Sequence, residues 1–198
     1  MCAVLIVAGR FRPGVHSGYP AASIGFMAWP ISNPAMQSCQ AFLQELAGKG
    51  VTMASFYLRN GRRFGLDPKS APGSHGVPNA CYANAAALAE RCQDLRYCEG
   101  FALRPGLVPV HHAWCIDIKG VVVDPTWRHV AGTDYFGVVF RRDYLTRALA
   151  ENGRAGILVD RIPVSLKAAQ PRDFLDVDWL QPTDRPMVAG SAQLVDND

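Results

Sequence analysis

Residues 79–127 read NACYANAAALAERCQDLRYCEGFALRPGLVPVHHAWCIDIKGVVVDPTW, and this stretch decides the fold. Over 80–92 the chain is rich in alanine, and Cys81, Ala85, Leu88, Cys92 and Leu95 recur at helical spacing. Three short apolar runs follow at 96–103, 110–117 and 121–125, in which β-branched and aromatic residues are common. A helix followed by consecutive strands on short turns implies an antiparallel sheet, with the helices grouped at its flanks. That is α+β organisation rather than a doubly wound parallel sheet.

Working outward, residues 135–140 read as a further strand and 141–151 as a helix ended by Asn152-Gly153. One more strand is expected at 156–160. From 181 onward the chain turns polar and acidic, and a disordered tail is expected over 181–198. On the other side, 65–78 is a long punctuated loop of the kind that often carries function. Residues 51–58 read as a strand closed by the turn dipeptide Asn60-Gly61. Before it, Met36, Cys39, Phe42, Leu43 and Leu46 fall at helical spacing, with Asn33 as cap, Pro34 in the first turn, and Gly48 and Gly50 at the end. Residues 10–34 read as irregular loop. The apolar start, 3–8, reads as a buried strand rather than a signal peptide, because no basic segment precedes it. One α+β domain over 1–180 accounts for these elements.

The 198 residues are 49% hydrophobic and 19% charged, a globular balance, and the net charge of +3 is too small to argue for nucleic acid. The basic clusters Arg59, Arg62, Arg63 and Arg141, Arg142 read as solvated surface. No apolar run approaches the roughly 20 residues that span a bilayer, so no membrane partner is expected. None of the six cysteines forms a C-x-x-C pair. Free thiols in a reducing cytoplasm are the default reading.

Three residues suggest chemistry. With Asn79 as N-cap, Cys81 falls in the first turn of its helix, where unpaired N–H groups and the positive end of the helix dipole favour a thiolate. Its bland reading is the first core residue of the helical stripe. In a strand, His112, Trp114 and Ile116 share one face and His111, Ala113 and Cys115 the other. A histidine downstream of a thiol at a helix start is a candidate base. Asp124 closes an apolar strand and needs a partner if buried. Paired with His112 it would orient the imidazole; alone it would cap the turn before Thr126. A metal site from His111, His112 and Cys115 is disfavoured, since adjacent strand residues point to opposite faces.

These motifs, taken in order, resemble the transglutaminase-like core of the papain-like thiol enzymes. That pattern is a cysteine opening a helix, a strand bearing His-Ala-Trp and a strand ending Asp-Pro-Thr. Here it is matched by Cys81 with Ala83, by His112-Ala113-Trp114 and by Asp124-Pro125-Thr126. The likeness is closer to small single-domain bacterial and phage proteins of this type than to the large animal transglutaminases. The resemblance implies a papain-like fold in which the helix bearing the cysteine packs on an antiparallel sheet. It implies Cys81 as nucleophile, His112 as base and Asp124 as orienter, acting on a peptide, protein or small-molecule acyl substrate with no cofactor and no metal. The expected activity is cleavage or transfer of an acyl group through a thioester. The competing class is a non-catalytic binding module that keeps such a shell. The backbone N–H of Cys81 is one expected oxyanion donor, and His75 or Asn79 the second. Trp114 and Trp127 could wall the site, though core packing is their plainer role.

The triad also sets a strand register. A hairpin loop of Lys119-Gly120 alone would put His112 and Asp124 on opposite faces. A three-residue loop, Ile118-Lys119-Gly120, sets Asp117 opposite Val121 and Trp114 opposite Asp124. It leaves His112 diagonal to Asp124 on one face, with Gly120 suited to the left-handed position such loops end on.

Overall fold

The computed structural model describes residues 37–67, 76–152, 156–158 and 169–180. The expectations for 3–8, 10–34, Asn33, Pro34, His75 and 181–198 lie outside the described residues. The described elements are α1 (Cys39–Gly48), α2 (Thr52–Asn60), β1 (Arg62–Phe64), α3 (Cys81–Arg91), β2 (Arg96–Leu103), β3 (Val110–Ile116), β4 (Val122–Val123), β5 (Asp134–Val139) and α4 (Arg142–Asn152), with short 3-10 turns at Pro171–Asp173 and Val177–Leu180. This is α+β. Five strands form one antiparallel sheet in the order β1-β5-β2-β3-β4. The two edges approach one another, since Gly65 just past β1 bridges Val121 just before β4.

Period-2 alternation divides the core in two. Tyr97, Ala113, Cys115, Phe136 and Val138 face α1, α2, α3 and α4. Cys98, Ala102, Trp114, Ile116, Tyr135 and Val139 fill the opposite, concave side with Phe64 and Val122. His112 lies on that second side, and its neighbours across the sheet are Gly100 and then Gly137. The two glycines let β2 and β5 approach closely. A Cβ on Gly137 would run into the backbone oxygen of Glu99 and come within 2.8 Å of the Trp114 ring. Overpacking against backbone has no cheap relaxation, so Gly137→Ala is expected to cost about 3 kcal/mol, read by urea unfolding. A change under about 0.5 kcal/mol, the scale of ordinary surface substitutions, would show that the strands can separate at this point.

Several sequence expectations are corrected. Residues 51–58 are not a strand but most of α2. Val51 and Thr52 fall at the helix start. Ala54 and Tyr57, three apart, are its buried face, and Met53 and Phe56 pack beside them. Gly50, at φ +82, turns the chain from α1, and the Val51 N–H donates to the Leu46 carbonyl, so α2 folds back on α1. Asn60-Gly61 is then a helix end, not a hairpin turn: the Gly61 N–H donates to Tyr57 O, and the Asn60 amide to Phe56 O. The cap of α1 is Ser38, whose hydroxyl accepts from Ala41 N–H at 3.1 Å. Of the strand expected at 156–160, residues 156–158 are not strand, and the other two lie outside the described residues. Gly156–Leu158 is held by a buried carboxylate instead. Glu99 accepts from Ile157 N–H, Leu158 N–H and the Tyr97 hydroxyl, while burial pushes its pKa up. Nor is Arg142 merely solvated. Its guanidinium donates to the carbonyls of Ala89 and Cys92 at the end of α3 and of Gln93 and Leu95 in the turn beyond it. Among the described residues no helix is long and apolar enough to cross a membrane.

Candidate active site

Cys81 is the first residue of α3, and no acidic side chain lies in that first turn to oppose the helix dipole. Asn79 is not the cap. The N-cap is Ala80, which has no side-chain capping bond, and Asn79 sits at φ 60, the one non-glycine with positive φ among the described residues. Left-handed conformations outside glycine are costly and cluster at functional sites. This turn exposes Asn79 and places it on the wall of a cleft.

A residue that sequence reasoning passed over holds this loop in place. The side-chain amide of Asn84, one turn into α3, accepts from Val77 N–H at 3.1 Å and donates to Val77 O at 2.8 Å. It also donates to the Thr126 hydroxyl at 3.0 Å, while Gly76 N–H donates to Pro125 O at 2.5 Å. One amide therefore ties the segment before Cys81 to the turn after Asp124. Its signal in the sequence was an asparagine in an otherwise apolar, alanine-rich helix. Gly76 is needed beside it, since a Cβ there would overlap the Asn84 amide.

The β3–β4 hairpin has the three-residue loop. Cys115 pairs with Val123 and Ile116 with Val122, which continues to Asp117 opposite Val121 and Trp114 opposite Asp124. Gly120 adopts φ +75, and the Asp117 carboxylate accepts from Lys119 N–H and Val121 N–H to close the turn. His112 Nε2 and Asp124 Oδ2 are 2.7 Å apart, both nearly excluded from solvent. Asp124 is fully used: the Tyr135 hydroxyl donates to Oδ2 at 2.9 Å, and the N–H groups of Thr126 and Trp127 donate to Oδ1 at 2.8 and 2.9 Å. Burial alone would raise the pKa of this carboxyl. The bond and charge of His112 and the two backbone donors outweigh it and hold the pKa below the usual carboxylate value. Tyr135 was a missed partner, since a tyrosine in an apolar strand carries no local sign of what its hydroxyl meets.

Cys81 lies close enough to the same imidazole to favour its protonated form. Burial favours the neutral ring. The hydrogen bond and charge of Asp124, with a contribution from the nearby Cys81, prevail and raise the His112 pKa from 6.5 to about 8. The His112 ring and the Asp124 carboxylate are thus directly bonded, with Cys81 in their neighbourhood. Trp127 stacks on His112 at 4.1 Å between centroids, and Trp114 lies 6.4 Å away, buried in the core.

His111 and Cys115 belong to the other face. His111 is bridged by the hydroxyls of Tyr57, at 2.7 Å, and Tyr82, while the Cys115 thiol donates to Ala85 O. Each member of the disfavoured His111, His112 and Cys115 metal set is therefore engaged separately. Among the described residues all cysteines are free, and burial pushes up the pKa of the thiols of Cys39, Cys98 and Cys115.

A cleft that reaches the ring of Trp127, the residue stacked on His112, has a volume of about 570 Å³. Its walls include Pro78 and Asn79 from the loop before α3, Arg104 from the end of β2, and Trp127, Arg128 and Val130 beyond Asp124. No family model, no curated protein and no solved structure matches the chain.

Proposed function

We propose that the chain is a cysteine-nucleophile acyl-transfer enzyme, with a transglutaminase-like core and a triad of Cys81, His112 and Asp124. The observation that carries the reading is the His112 ring bonded through Nε2 to a buried Asp124 while interacting with Cys81 at a helix start. A thiol, an imidazole and a fully bonded carboxylate in that order is the arrangement nucleophilic catalysis requires. In this reading the Cys81 thiolate attacks the carbonyl carbon of an amide or ester. An S–C bond forms, and the carbonyl oxygen becomes an oxyanion that accepts from the Cys81 N–H. Asn79, released from capping and set on the cleft wall, is the available second donor. Collapse breaks the bond to the amine or alcohol, which takes a proton from the His112 imidazolium, and a thioester remains. Water or an amine then gives its proton to His112, attacks the thioester and frees the thiol. The substrate is a peptide, protein or small acyl compound.

The test is selective alkylation. Limiting iodoacetamide near neutral pH, followed by peptide mapping, is expected to modify Cys81 first. Cys39, Cys98 and Cys115 are buried, with thiol pKa values pushed up. Preferential modification of Cys92, which is partly exposed like Cys81, would count against the nucleophile.

A further inference from the structure

The cleft beside His112 is lined by two arginines, Arg104 and Arg128, and by no acidic residue among those described. Several other arginines have visible work: Arg63 pairs with Asp134, Arg96 with Asp176 and Arg141 with Asp143, and Arg142 donates to carbonyls. Arg104 and Arg128 have no hydrogen bond or ion pair among the described residues, and the Arg104 Nε is buried without a partner. With Nε buried, the terminal guanidinium nitrogens of Arg104 are the donors open to a ligand in the cleft. The guanidinium is held in position all the same, 4.3 Å over the Trp127 ring, and that ring is itself stacked on His112. Its charge is felt within the triad's surroundings, since Arg104 opposes the rise in the pKa of Tyr135, the hydroxyl bonded to Asp124. A rigid cation with free donors, on an aromatic plate that ends at the catalytic imidazole, is a fork for a planar anion.

Building on the proposed thiol chemistry, we infer that the acyl substrate carries a carboxylate, bound by Arg104 and Arg128 and laid along Trp127, with its reacting carbonyl at Cys81. Such a carboxylate has two sources, the free end of a peptide chain or an acidic side chain next to the scissile bond.

Alkylating probes separate these cases and need no known substrate. Chloroacetyl-glycine presents a terminal carboxylate, chloroacetyl-aspartate amide a side-chain one, and chloroacetyl-glycinamide neither. In each, the Cys81 sulfur forms a bond to the methylene carbon and chloride leaves. The quantity read is the rate of Cys81 modification by each acid relative to the neutral amide, divided by the same ratio for glutathione. For the full-length protein one of the two acids is expected to show a ratio of about 10 or more, and the acid that does so identifies the source. Arg104→Gln and Arg128→Gln should each lower that ratio at least about 3-fold. Either variant suffices if the other fails to fold. A ratio near 1 for both acids, with Cys81 still labelled first, overturns the carboxylate proposal and leaves the thiol assignment standing. So does a ratio that survives in the folded variants. If no probe labels Cys81 ahead of the other cysteines, the nucleophile itself is wrong and the carboxylate proposal falls with it.

Discussion

Cys81→Ala is expected to eliminate covalent acylation of the protein by activated esters, with a loss of about 10⁴-fold or more. In the wild type, p-nitrophenyl acetate should leave a single acetyl group on Cys81, visible by intact mass and peptide mapping, with release of p-nitrophenolate. No other side chain is expected to replace the sulfur, because the ring that would activate a nucleophile is bonded to Asp124 and has the Cys81 thiol nearby. The fold should survive. Cys81 is only partly buried at a helix start and belongs to neither buried core cluster, so truncation to alanine should shift stability by less than about 1 kcal/mol. Burst release of nitrophenolate that persists in Cys81→Ala would remove the thiol from the reaction. Failure of that variant to fold would instead favour the core-residue reading.

Asp124→Asn is expected to have the second largest effect, on stability and on chemistry together. The substitution leaves a buried imidazole without its anion and replaces an oxygen that accepts from both His112 and Tyr135. Breaking one side of a buried pair costs roughly 3 kcal/mol, and acylation should fall about 10²-fold or more through loss of ring orientation. The pH dependence has a definite sign. The His112 pKa is raised from 6.5 to about 8, so the stability it contributes is complete below about pH 6.5 and is lost as pH rises through 8. The Asp124 pKa is lowered, so its contribution is present above the ordinary carboxylate value and is lost only as pH falls through the depressed one. The gap in unfolding free energy between wild type and Asp124→Asn should therefore be widest near pH 6. It should narrow by up to about 2 kcal/mol by pH 9, since one pKa unit is 1.36 kcal/mol. Urea titrations at the two pH values measure this, and an equal gap at both would show that the ring is not held charged by Asp124.

The residues of the candidate site were legible because each stands at a position whose local structure is set by nearby residues. The alanine-rich run with its apolar stripe marks α3 and puts Cys81 at its start. Period-2 alternation over β2 and β3 puts His112 with Trp114 rather than with Cys115. Strand parity leaves two registers for the hairpin, and the three-residue loop with left-handed Gly120 is the one that also lets Asp124 meet His112. These are short-range constraints, and the sequence alone determines them.

Other features depended on what the elements meet in space. The 51–58 segment is apolar enough for either period, and it became helix because it packs on α1 through a turn at Gly50. Asn79 looked like a cap. It adopts a left-handed turn instead, while Asn84 bonds to the segment before it and to the Asp124 turn, 42 residues away. Tyr135 reaches Asp124 from a strand on the far side of β2. Arg104 meets Trp127 only because the end of β2 and the chain beyond β4 converge on one cleft. Periodicity tells which way a side chain points from its own element, but a hydrogen bond or a stacked ring needs a second element at a given distance. Only the packing of the helices and the bent sheet sets that distance.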